Sequence, residues 1–137
     1  MKLNDTELLR RQAWIDGQWV DAHSRNTVIV ANPFDGTELK RVPSLSGEET
    51  VKAIEAAEKA LAVWQKYTVK ERYDILYRWF QLIMECQDDL AVILTSEQGK
   101  PLAEARGEVA YAAAFVQWYA EEGKRVYGDT IPALSRD

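Results

Sequence analysis

The sequence predicts an α+β chain, with short strands in its first third and about four helices behind them. Three observations carry that prediction. Turn dipeptides separate short β-branched runs as far as Pro43, two capping-box spacings follow, and apolar residues then recur every three or four positions up to Tyr119. Trp14-Ile15 and Gln18-Trp19-Val20 flank Asp16-Gly17, a two-residue hairpin signal whose glycine tolerates positive φ. Thr27 to Ala31 is β-branched and apolar, and Asn32-Pro33 with Asp35-Gly36 turns the chain back. Glu38 to Val42 can then pair as the next strand, which Pro43 closes.

Beyond Pro43 the pattern becomes helical. Ser46 and Glu49 have capping-box spacing, so the serine can accept from the third helical N–H while the glutamate reaches back. The stripe behind them is Val51, Ile54, Leu61 and Trp64. Thr68 and Glu71 repeat the spacing and start a second helix. It presents Ile75, Leu76, Trp79, Phe80, Leu82 and Ile83, a face wide enough for burial on more than one side. A third, short helix around 88–96 carries Leu90, Ile93 and Leu94 and stops at Gly99. Pro101 suits the first turn of a fourth, whose stripe reads Leu102, Ala105, Val109, Ala112, Val116 and Tyr119. Residues 129–137 read as an extended segment with no partner strand after it.

Composition narrows the function classes. A chain of 137 residues fits one ordinary domain, and five Trp with 10% aromatic residues argue against disorder. A formal charge of −5 disfavours nucleic acid, whose phosphates need a basic face. No run of about 18 apolar residues is available to span a membrane. The N-terminus lacks the apolar core of a secretory signal. Cys86, the only cysteine, leaves no internal disulfide and suits a reducing compartment, so the cytoplasm is the expected location.

Chemistry-bearing residues are few. His23, the single histidine, lies in a polar loop with no acid or nucleophile placed by spacing; it reads as a solvated residue, with a catalytic base as the alternative. Cys86 follows Ile83 on the apolar side of the second helix and reads as a packing thiol, with a catalytic thiol as the alternative. Gly99, Gly107, Gly123 and Gly128 are too scattered for a phosphate loop. Asp88-Asp89 suits a helix N-terminus and Glu121-Glu122 a solvated face. Glu104 and Glu108, one turn apart, read as an exposed flank partly offset by Arg106. No His or Cys cluster suggests a metal centre. By residue chemistry alone the chain contains no recognisable active site.

Longer phrases carry a resemblance. They are WIDGQWVDA at 14–22, VANPFDGTEL at 30–39, AVWQKYTVKERYDIL at 62–76, EQGKPLAEARGEV at 97–109 and QWYAEEGKRVYGDTIP at 117–132. Together, over essentially the whole chain, they resemble the N-terminal portion of the aldehyde dehydrogenase superfamily, and within it the bacterial NADP-preferring succinate-semialdehyde dehydrogenases. The resemblance implies an α/β enzyme using NADP or NAD, in which an aldehyde adds to a cysteine thiolate, hydride leaves to the nicotinamide and water releases the acid. It implies that the catalytic cysteine, the general base, the oxyanion asparagine and nearly all cofactor contacts lie beyond Asp137, so that this segment alone is inactive. Residues 1–46 then form an arm, 47–128 the helical part of the cofactor-binding domain, and 129–137 the start of a bridging strand for homo-oligomerisation.

Residue by residue the resemblance places Gly107 and Tyr111 in the wall of the substrate tunnel, where a core aromatic is the alternative reading of Tyr111. It places Glu97 and the Val30 carbonyl at a monovalent-cation site, although this chain has Glu where relatives have Asp; an exposed acid is the alternative. Glutarate semialdehyde is the competing substrate. A stand-alone helical interaction module is the competing class.

Overall fold

Two small antiparallel hairpins precede a helical body, in a computed structural model that describes residues 1–129 and 131–133. The first hairpin pairs β1 (Ala13–Ile15) with β2 (Gln18–Val20) through a turn in which Asp16 and Gly17 have φ of 50° and 74°. Positive φ at both central residues gives the strands the twist they need, and Asp-Gly tolerates it. Trp14 and Trp19 face each other across this pair, their ring centroids 4.8 Å apart. The second hairpin pairs β3 (Thr27–Ala31) with β4 (Glu38–Pro43) and has an irregular register at Val30/Ala31. Its turn closes through Asn32, whose side chain accepts from the Phe34 N–H at 3.0 Å and whose carbonyl accepts from the Gly36 N–H at 2.8 Å.

Four helices follow: α1 (Gly47–Trp64), α2 (Val69–Glu85), α3 (Gln87–Gln98) and α4 (Leu102–Glu122). Both expected capping boxes form. Glu49 N–H donates to Ser46 Oγ at 3.3 Å and Ser46 N–H to Glu49 Oε2 at 2.7 Å; Thr68 and Glu71 repeat both distances. Gly99 closes α3 in the left-handed region at φ 75°. Pro101 stands one position before the first turn of α4 rather than inside it, and its carbonyl accepts the helix's opening bond from Ala105. Asp129 and Ile131 to Ala133 belong to no regular element, and the remainder of the expected strand, Thr130 and 134–137, lies outside the described residues.

The packing phase of α4 differs from the expected stripe. α4 lies against α2 and α3, and it buries Ala105, Val109, Ala113 and Ala120. Leu102, Ala112 and Tyr119, expected inside, are exposed. Small side chains let the helix axes approach closely, so alanines occupy the contact and large residues are displaced to the outer face. Every fully buried apolar residue among those described is Ala or Val. On α1 the expected stripe is largely open, with Val51, Ile54 and Leu61 exposed and Trp64 half-buried.

Two carboxylates fasten the strand-rich arm to the helices. Asp89, only 6% exposed, accepts from the Asn4 and Asp5 N–H groups at 2.9 and 2.8 Å and from Asn4 Nδ2 at 3.1 Å. Glu49, 8% exposed, completes its capping box and also accepts the His23 N–H at 2.9 Å. These bonds favour the ionised forms. The Ser46 N–H first, then the His23 N–H, draws Glu49 down from 4.5 to about 2, and the Asn4 N–H first, then that of Asp5, lowers Asp89.

A folded-state pKa below the unfolded value means stability that is complete above the unfolded pKa and lost as pH falls toward the folded one. The melting temperature should therefore drop as pH is lowered through roughly 4.5 toward 2, and Glu49→Gln should flatten that slope; thermal melts over a pH series check this. Asp89→Ala should release the arm locally, with hydrogen exchange at the Asn4 and Asp5 amides rising roughly tenfold while the α4 core amides change little.

Candidate functional site

The outer face of α4 is the most distinctive surface. Tyr111, Ala114, Phe115, Trp118 and Tyr119 line a shallow apolar groove of about 320 Å³. Tyr111 is 66% exposed, and its ring meets Phe115 edge-on, with centroids 4.9 Å apart and planes at 82°. That T-shaped contact orients both rings without either being buried. Gly107, one turn earlier on the same side, has open space where a Cβ would project. Within this segment Tyr111 is not a core residue, because Ala113 and Val109 take the buried positions beside it. The 3–4 spacing of Tyr111, Phe115 and Trp118 is a second stripe, parallel to the alanine stripe and legible in the sequence.

A second constellation joins the second hairpin to the turn between α3 and α4. Gly99 approaches the turn of the second hairpin so closely that an added Cβ would sit 3.0 Å from Pro33 Cγ. Its positive φ favours glycine, and any side chain here would also make the Pro33 ring give way by a few tenths of an ångström. Beside it, Glu97 faces Lys40 of β4, with Nζ 2.6 Å from Oε1 and side chains only 13% and 28% exposed. The contact is an ion pair by distance and lies outside hydrogen-bond alignment, since no hydrogen bond reaches the buried Oε1. Val30 is the register partner of the same Lys40 across β3 and β4. Lys100, next in the turn, pairs with Glu108 on α4.

The remaining candidates have structural partners. His23 has a side chain 81% exposed, with Nδ1 3.3 Å from Glu49 Oε1, and no nucleophile joins it. Cys86 is half-buried at the junction where α2 ends and α3 begins. Arg106 turns to Asp88, Nε to Oδ1 at 2.8 Å, and not to the Glu104–Glu108 flank expected from spacing. The reason is that α3 and α4 pack side by side, which brings Asp88 within reach. Glu121 pairs with Lys124 at 3.0 Å and Glu122 with Arg125, on a charged flank as expected. Among the described residues no three His, Cys, Asp or Glu side chains are grouped to hold a metal ion. Nor is any helix there long and apolar enough to cross a membrane.

All four helices carry acid in the first turn, namely Glu48 and Glu49, Glu71, Asp88 and Asp89, and Glu104. Carboxylates occupy the positive ends of the helix dipoles, where a pyrophosphate would otherwise bind.

The chain is 56% identical over all 137 residues to the succinate-semialdehyde dehydrogenase [NADP(+)] GabD of Escherichia coli strain K12, of which it covers 28%. It is 55% identical over its whole length to a glutarate-semialdehyde dehydrogenase of Pseudomonas putida, again covering 28% of that protein. The crystal structure of an aldehyde dehydrogenase from Brucella melitensis biovar abortus 2308 superposes with a TM-score of 0.95 at 55% identity, over 98% of this chain and 28% of that one. The chain thus spans little more than a quarter of the length of the relatives it matches. Residues 19–137, which hold the Pro33–Gly99 junction and the aromatic face of α4, match the aldehyde dehydrogenase family, and to that family the chain belongs.

Proposed function

We propose that this chain supplies the arm and helical wall of an NAD(P)-dependent semialdehyde dehydrogenase, acting on succinate semialdehyde. The observation that carries the reading is the outer face of α4, where Gly107 leaves an opening and Tyr111 holds an oriented ring beside it. A short aldehyde chain bearing a distal carboxylate would pass along this wall. Tyr111 would contribute its ring edge and hydroxyl to that path, and Gly107 the width. The bound cofactor would supply the hydride acceptor. This chain's part would be to shape the approach and keep bulk water from it.

Glutarate semialdehyde is the second reading, favoured by the 55% identity to a glutarate-semialdehyde dehydrogenase. The two substrates differ by one methylene, which a hydrophobic wall discriminates by only about 1–3 kcal/mol. A cytoplasmic location, a homo-oligomeric enzyme, and the division into an arm at 1–46, a helical unit at 47–128 and a bridging strand from 129 belong to the same proposal. The catalytic thiolate and general base would come from sequence outside this segment, since Cys86 and His23 are each committed to the fold or to solvent.

Two outcomes follow. The 137-residue chain should form no NADPH or NADH from either semialdehyde; enzyme-linear formation that disappears in Cys86→Ala would overturn the assignment. In the full-length enzyme Gly107→Leu should raise KM for the semialdehyde by roughly tenfold while leaving the Kd for NADP within about twofold. An added Cβ at Gly107 meets nothing within 4 Å in this segment, and equal losses for both ligands would refute a tunnel-wall role.

A further inference from the structure

The family resemblance leads to a monovalent cation held by Glu97 and the Val30 carbonyl, and the side chains around them do not fit one. A cation site needs a carboxylate whose charge is uncommitted, beside carbonyl oxygens that face the same point. Here Lys40 Nζ stands 2.6 Å from Glu97 Oε1. Lys40 is also the register partner of Val30, so the residue that pairs with Glu97 stands opposite the residue that would give the expected carbonyl. A metal ion on the same carboxylate would meet the ammonium at a few ångströms, where like charges repel strongly in a half-buried setting.

We propose that Lys40 is the resident cation of this junction, and that its ammonium occupies the place of a metal ion so that the site takes none. The lysine brings the same single positive charge and does so on a tether. It needs no ion from solution to neutralise Glu97. Its position between β4 and the end of α3 also explains what the charge holds together: the hairpin whose Pro33 touches Gly99 is drawn onto the α3–α4 turn by the same pair.

The test compares melting temperatures of the 137-residue chain in sodium, potassium and tetramethylammonium chloride at equal ionic strength. Tetramethylammonium screens equally but is too large for a carboxylate–carbonyl cage. The unaltered chain should melt at one temperature in all three. Lys40→Ala should melt roughly 3–6 °C lower in tetramethylammonium and regain part of that loss in sodium or potassium. If Lys40→Ala folds only when sodium or potassium is present, the proposal is supported equally; if it folds in none of the salts, or gains nothing from either alkali ion, the proposal fails. Glu97→Gln, which strands the ammonium without its counter-charge, should lower all three melting temperatures alike, and a variant that melts as the parent does would also refute it. Specific stabilisation of the unaltered chain by sodium or potassium would overturn the proposal directly.

Discussion

Asp89 collects hydrogen bonds from three N–H groups of Asn4 and Asp5, and Glu49 collects main-chain bonds from Ser46 and His23; these two carboxylates hold the start of the arm and the link between its hairpins. Fully buried apolar side chains contribute little here, because Ala22 is the only arm residue among them and the arm's leucines, valines and isoleucines are half-buried at most. A charged acceptor of several N–H groups makes stronger bonds than a neutral one and fixes direction as well as distance. Both acids sit in the first turn of a helix, where the dipole already favours their charge. One side chain therefore serves the helix start and the arm together.

The same economy explains which features were legible in the sequence. The turn at Asp16-Gly17, the boxes at Ser46–Glu49 and Thr68–Glu71, and the stop at Gly99 are local, set by residues within four positions of each other, and each forms where its residues stand. Asp89 was readable as a helix-start acid, but its bonds to Asn4 cross 85 positions of sequence and leave no periodic trace. Lys40 opposite Glu97 is equally remote. Arg106 was assigned to its own helix because i,i+4 neighbours are visible in one dimension, whereas Asp88 becomes its partner only once α3 and α4 are side by side.

The phase of α4 shows a different limit. Hydrophobic periodicity weights a residue by its apolarity, so the expected stripe runs through Leu102 and Tyr119 as well as Ala105 and Val109, and it places Ala112 rather than Ala113 inside. Close packing weights residues by volume as well. Three alanines and a valine at 105, 109, 113 and 120 allow α2 and α3 to approach together. A helix that packed through Tyr119 would have to hold its neighbours farther away.

That choice of contact also builds the candidate site. Successive residues on a helix are about 100° apart, so a narrow small-residue seam forces the bulky positions onto the remaining circumference. Tyr111, Phe115 and Trp118 recur at three and four positions and hence fall in a single line rather than around the cylinder. Gly107 continues that line one turn earlier with no side chain at all. The aromatic wall and its opening are therefore consequences of how α4 is packed on its inner side. Exchanging an inner alanine such as Ala113 for a larger residue would push α2 or α3 away and rotate or tilt the helix, and the line of rings would move with it.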